Sequence, residues 1–278
     1  MLKKSYILMI CAIFFSQAGI SSAYEKKITL ASLDWEPYVG ESLSNNGYVA
    51  EVVEQAFMAV GYDKKDIVIK FVPWARAVKL GINGEYDAIV PEYLMPEREK
   101  HFNFSSPFPG GPVGFYKKKS LNLKYKDFDD LAQQFQKAHW KIGVVNEYVN
   151  TVEFDENPNI TKIKEYAVSD ELNVRKLIGD RFNMIFIDQN VANYIVNKLP
   201  DSERIHRDFE FVEPPLENKD FYICFSRKSP FHKEKMADFN RGYRILEEKG
   251  IVESIMKRHN LKYYSIKQKT KDTLSKQK

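Results

Sequence analysis

Apolar positions along the chain switch repeatedly between a period of two and a period near 3.6. Residues 27–35, KITLASLDW, read as a strand running into a loop. In NNGYVAEVVEQAFMAVG, Val49, Val52, Val53, Ala56, Phe57 and Val60 recur at helical spacing, and Gly61 supplies a stop. DIVIKFV returns to alternation through Ile67, Ile69 and Phe71. Residues 74–83 are helical again through Trp74, Ala77, Val78 and Ile82, ending at Gly84, and YDAIVPE is a short apolar strand. Strand and helix in this alternation predict a mostly parallel sheet covered by helices.

A second series starts at WKIGVV (140–145), a strand, followed by ITKIKEY as another. SDELNVRKLIG is a helix opened by Ser169 and closed by Gly179, and MIFID (184–188) is a strand running into the helix QNVANYIVNKL. Residues 110–126, GGPVGFYKKKSLNLKYK, separate the two series, their glycines suiting a bend between lobes. FEFVEPPLENKDFYICFSR is an extended passage after the second series. Ser229-Pro230 then opens a helix with Phe239, Tyr243 and Leu246 on one face, broken at Gly250, and IVESIMKRH closes the folded part. Two α/β units joined by two extended passages predict an α/β protein of two lobes, the chain returning at its end to the first.

The amino-terminal segment stands apart from this pattern. Lys3 and Lys4 precede the apolar run YILMICAIFF, and Ser21-Ser22-Ala23 offers small residues for cleavage, so residues 1–23 read as a signal peptide and the protein as periplasmic. Cys11 follows Leu8-Met9-Ile10 rather than small residues, which argues against a lipid anchor. Cys224 is then the only thiol, without an intrachain partner; FYICF reads as a buried strand, with a catalytic thiol as the sharper alternative. The formal charge of +4 is an end effect. Setting aside Lys3, Lys4 and the five Lys and one Asp of 263–278 leaves 35 basic against 37 acidic side chains, about −2. That balance gives no footprint for nucleic acid, and the basic tail, 263–278, reads as a solvated end. The five histidines are scattered without ligand spacing, and no HExxH, GxSxG, phosphate-loop or GxGxxG motif appears. The expectation is therefore no metal, no cofactor and no catalytic residues.

Several segments, read in order, carry a resemblance. They are LDWEPYVG, PWARAVKLGINGEYDAIVPEYLMPEREKHFNFSSPF, KIGVVN, FNMIFIDQNVANYIV, and FYICFSRKSP leading into FNRGYRILEEKGIVESIMKRH. Together they resemble the family 3 extracellular solute-binding proteins, the polar-amino-acid class that feeds bacterial ABC importers, over roughly residues 25–262. The resemblance implies the type II periplasmic-binding-protein-like fold, with each lobe a mostly parallel sheet flanked by helices and a ligand enclosed between. It places lobe 1 at 24–115, lobe 2 at 116–217, and the hinge return and completion of lobe 1 at 218–262. It further implies a monomer that closes on a small amino-acid-like zwitterion and is read by a membrane permease. An enzyme on the same scaffold, resembling cyclohexadienyl dehydratases, is the alternative function. A sensor or cell-wall enzyme module is a third reading.

The resemblance also assigns residues. Arg98 matches the arginine that clamps a ligand α-carboxylate through its planar fork; the plain alternative is a surface ion pair with Glu97 or Glu99. Asp188 matches the receiver of the α-ammonium, although a strand-end Asp before a helix is also an ordinary N-cap. Trp35, beside Tyr38, matches an aromatic that stacks on the ligand. Trp74 belongs to core or cleft, Arg76 to solvent or a second anion contact, and Glu92, Tyr93 and Tyr148 follow strand ends where ligands collect. Pro91-Glu92-Tyr93 and Asn146-Glu147-Tyr148 replace the hydroxyl and glycine residues usual in amino-acid binders, which puts an α-amino-acid ligand in question. Asp34, Glu36, Glu92 and Glu147 near the rim lean towards a cationic one.

Overall fold

The computed structural model describes residues 24–261, so the signal-peptide reading, Cys11 and the basic tail lie outside the described residues. Strand β1 (Ile28–Ser32) lies between β2 (Ile67–Phe71) and β3 (Ala88–Glu92), parallel to both, with Leu30 opposite Ile69 and Ala88. Helices α1 (Gly47–Met58) and α2 (Trp74–Asn83) make the crossovers. Each stops where glycine allows a left-handed backbone, near Gly61 (φ 89°) and at Gly84 (φ 81°). A short strand, β4 (Phe102–Phe104), completes this edge.

The second sheet repeats the plan. Strand β6 (Ile142–Val145) lies between β7 (Lys164–Ala167) and β8 (Met184–Asp188), again parallel. Helices α3 (Phe128–Ala138), α4 (Val152–Glu156), α5 (Pro158–Thr161), α6 (Asp170–Ile178), α7 (Gln189–Lys198) and α8 (Ser202–Asp208) surround it. Strand β9 (Phe209–Phe211) edges the long strand β5 (Phe108–Lys118).

Strands β5 and β10 (Glu217–Ser226) tie the sheets together. The first half of β10 pairs antiparallel with the start of β5, Phe221 opposite Phe108. Its second half pairs with β3 and β4. The far half of β5 pairs with β8, Val113 opposite Asp188. Two lobes crossed by two strands is the type II periplasmic-binding-protein-like fold. The described residues close in the first lobe with α9 (His232–Glu248) and α10 (Ile251–Arg258). Helix α9 lies so close on α1 that a Cβ on Gly242 would overlap the Ala56 carbonyl.

Four local expectations change. The glycines of GGPVG lie within strand β5 rather than in a loop, and the β10 pairing shifts register beside Gly110 and Gly111. ITKIKEY begins as helix α5, because Asn157 Oδ1 accepts from the backbone N–H groups of Asn159 (2.8 Å) and Ile160 (3.0 Å) ahead of Pro158 at the first turn. Helix α9 starts at His232 rather than at Ser229, which is bonded to Asp87 instead. Helix α3 was not anticipated; Asp127 caps it, and Phe128, Leu131, Ala132 and Phe135 make its buried face. Cys224 is fully buried in β10, and desolvation pushes its thiol well above the ordinary range, which leaves it inert.

Candidate functional site

The carboxyl ends of the parallel strands of both lobes point at each other across the two crossing strands, the place where ligands gather in open α/β sheets. The turn after β1 carries Leu33, Trp35 and Tyr38; β3 ends in Pro91-Glu92, followed by Tyr93. From the second lobe, β6 leads into Glu147, Tyr148 and Val149, β7 into Asp170, and β8 ends at Asp188. Phe221 arrives on β10 between the lobes.

These side chains build an aromatic cage. Trp35 meets Tyr93 and Tyr148 edge-on, with centroids 6.0 and 6.2 Å away, and Phe221 at 5.5 Å. Phe221 also stacks on Tyr93 and meets Tyr38 at 4.8 Å. The rings, with Trp74, Leu33, Pro91 and Val149, line a partly open cavity between the lobes. Its one ionisable carboxyl is Glu92, 4 % exposed, pushed up to about 7 by burial against the pull of Arg98. Glu92 Oε1 accepts from the Tyr93 backbone N–H at 3.0 Å, whereas Oε2 receives no hydrogen bond among the described residues.

Polar contacts between the lobes surround this cavity, with donors mostly on the first lobe and acceptors on the second. Trp35 Nε1 donates to Asp170 at 2.8 Å, Tyr38 to Asp188 at 3.1 Å, and Trp74 Nε1 to the Glu147 carbonyl at 3.3 Å. Tyr93 reaches Asp188 at 3.4 Å. Arg98 points inward; Nη2 donates to the Glu147 carbonyl at 2.8 Å, Nη1 lies 3.5 Å from its carboxylate, and Nε lies 3.3 Å from Glu92. Its partners are thus Glu92 and Glu147 rather than Glu97 or Glu99.

Both buried aspartates begin helices. Asp188 caps α7, accepting from the backbone N–H groups of Asn190 (2.8 Å) and Val191 (3.1 Å), and Asp170 opens α6 behind its Ser169 cap. Helix amino termini favour the ionised carboxylates. Burial outweighs this, pushing Asp188 up to about 7 and Asp170 to about 6. Gly111 on β5 permits the approach of Tyr38 to Asp188, since a Cβ there would overlap both side chains.

Five of the eight expected site residues, Trp35, Trp74, Glu92, Tyr93 and Tyr148, line the cavity, while Tyr38, Asp188 and Arg98 flank it. Asp34 instead accepts from the Glu41 backbone N–H, Glu36 from Ser42, and Arg76 is exposed. Asp170, Phe221 and Lys219 were not foreseen. Asp170 occupies the β7–α6 junction as Asp188 does the β8–α7 junction, so an acid after a strand was the available signal. Lys219, side chain 5 % exposed, lies with Nζ 4.8 Å from the Tyr93 ring centre and 3.8 Å from Glu217, and desolvation lowers its pKa.

No protein-family model matches the chain, and no curated protein matches it in sequence. Solved structures do. The GluR0 ligand-binding core from Nostoc punctiforme, in complex with L-glutamate, matches with a TM-score of 0.64 at 15 % identity, over 83 % of this chain and 98 % of that one. The arginine-, lysine-, histidine-binding protein ArtJ from Geobacillus stearothermophilus matches with a TM-score of 0.64 at 17 % identity, over 84 % and 94 %. A histidine kinase sensor domain with similarity to periplasmic binding proteins reaches a TM-score of 0.66 at 15 % identity, over 84 % and 95 %. Identities this low establish a shared fold.

Proposed function

We propose that this protein is an exported solute-binding protein that captures a small amine-bearing polar solute, an amino acid or a molecule like one, by closing two lobes around it. The lobes are residues 24–115 with 218–262, and 116–217. The observation that carries the reading is the convergence of strand ends from both sheets around one aromatic cavity, linked across the cleft by Trp35–Asp170, Tyr38–Asp188, Trp74–Glu147 and Arg98–Glu147. Contacts made from both lobes exist only in the closed form, so a guest that adds to them shifts the population towards closure. The guest touches Trp35, Trp74, Glu92, Tyr93 and Tyr148, while Tyr38, Asp188 and Arg98 hold the lobes together beside it. The fold's neighbours support the reading, since one is described as the substrate-binding protein of an amino acid ABC transporter and another as ArtJ. The closed protein, acting as a monomer in the periplasm, would deliver its guest to the permease of an ABC importer. Among the described residues, no helix is long and apolar enough to cross a membrane.

A thermal-shift panel of amino acids, opines, polyamines and small peptides tests this reading. A true guest raises the melting temperature by mass action, by about 2.7 kcal/mol of added stability at one hundred times its Kd. Silence across the panel would overturn it. Glu92 favours a second reading, an enzyme on the same scaffold, because a carboxyl that titrates near 7 in an aromatic pocket suits general acid or base work. Formation of aromatic product from prephenate or arogenate would establish that reading instead.

A further inference from the structure

The charges around the cavity do not balance. Two cations, Arg98 and Lys219, stand among five carboxyl groups, those of Glu92, Glu147, Asp170, Asp188 and Glu217. Arg98 is held by Glu92 and Glu147, and Lys219 faces Glu217. Asp170 and Asp188 have no cation at all; their bonds come from Trp35, Tyr148, Tyr38 and the first N–H groups of α7. The cavity itself is lined by aromatic rings, with one carboxyl and no cation in its lining.

Ring faces and carboxylates together are the chemistry that holds an ammonium or guanidinium group: the rings supply the negative face of a quadrupole, and the carboxylate supplies the counter-charge. Glu92 Oε2 is buried in that lining, ion-paired with Arg98 Nε at 3.3 Å and with no other polar partner among the described residues. A cationic donor entering the cavity would give this carboxylate a second charged partner. Conversely, a guest carboxylate finds the Arg98 fork already engaged by two acidic residues and must displace Glu147 to use it.

We propose, on the premise that the protein is a solute receptor, that the site selects an organic cation, an amine or guanidine whose charged head enters the aromatic cavity against Glu92, and that it does not require a carboxylate on the guest. Recognition then rests on the cationic end, and Arg98 serves to brace Glu92 and latch Glu147 across the cleft.

Matched pairs that differ by one carboxylate test this directly. Isothermal titration of the purified protein with agmatine against L-arginine, and with cadaverine against L-lysine, should show each decarboxylated compound binding at least as tightly as its amino acid. An amino acid that binds ~10-fold tighter than its decarboxylated partner overturns the inference and leaves the receptor reading standing. Binding confined to anions or net-neutral amino acids does the same, whereas silence from every compound overturns both. Glu92→Gln keeps the shape and removes the charge; with an unchanged circular dichroism spectrum it should weaken the best cation ~10-fold or more, and undiminished affinity would refute the role of Glu92.

Discussion

Asp188 shows how one side chain can serve both a helix and a cleft. Its Oδ1 accepts the N–H groups that open α7, while the carboxylate also takes the Tyr38 hydroxyl from the other lobe, and burial raises it to about 7. An ordinary aspartate titrates near 3.9, so between about 4 and about 7 the folded form binds more protons than the unfolded one. The sign follows: stability from this group falls as pH rises through that window and levels off above it. Asp188→Asn keeps the cap and cannot ionise. Urea titrations from pH 5 to 8 should show the variant gaining stability relative to the parent as pH rises; a constant difference would mean that Asp188 is not desolvated. Glu92, beside Arg98 and Lys219, obeys the same sign, so affinity for a cationic guest should climb as pH passes about 7. Gly111→Ala would drive a Cβ into Tyr38 and Asp188, and overpacking of this kind costs about 1–3 kcal/mol. A lowered urea midpoint with weakened guest binding is the expected result, and an unchanged midpoint would show that β5 can move aside.

Elements with a strong internal period were readable before any coordinates. Helices α1 and α2, and strands β1, β2, β3, β6 and β8, fall where alternating or helical spacing places them, because each buries one face or a whole short run. Helix α3 was missed between two runs of Lys and Asp; its buried set, Phe128, Leu131, Ala132 and Phe135, is short, and its cap Asp127 is one acid among several. Helix α5 hid behind Ile160 and Ile163, whose spacing suits either state, until the Asn157 cap decided it. At the site, strand ends were legible because a parallel sheet must present them together. Lys219 and Phe221 were not, since an extended crossing strand announces burial without saying which lobe it faces. The contact of α1 with α9 was equally invisible, because Gly242 looks like any helix-weakening residue until the Ala56 carbonyl is seen against it. Gly242→Ala should cost about 1–3 kcal/mol, read as a lower urea midpoint, while guest affinity stays unchanged because the contact lies away from the cavity.

Across the whole molecule, a small set of polar bonds joins one lobe to the other, and on the receptor reading these bonds set the balance between a closed and an open form. Strands β5 and β10 run between the two sheets and are the axis about which such a motion would turn. Arg98 is the most revealing member of the set. Its bond to the Glu147 carbonyl is charge-assisted and worth about 1.5–3 kcal/mol, whereas its 3.5 Å approach to the half-exposed Glu147 carboxylate adds little. Arg98→Ala removes both and leaves Glu92 with the Tyr93 backbone N–H and the charge of Lys219. Losing about 2 kcal/mol moves the open-to-closed ratio ~30-fold, enough to change the average shape if the two forms lie within a few kcal/mol. Small-angle scattering of the variant should therefore give a larger radius of gyration than the parent, and saturating guest should bring it back down. If the radius stays at the parent value, closure rests on the other cross-lobe contacts, those of Trp35 with Tyr148 and Asp170 and of Tyr38 with Asp188, and the latch across Glu147 is only a consequence of them.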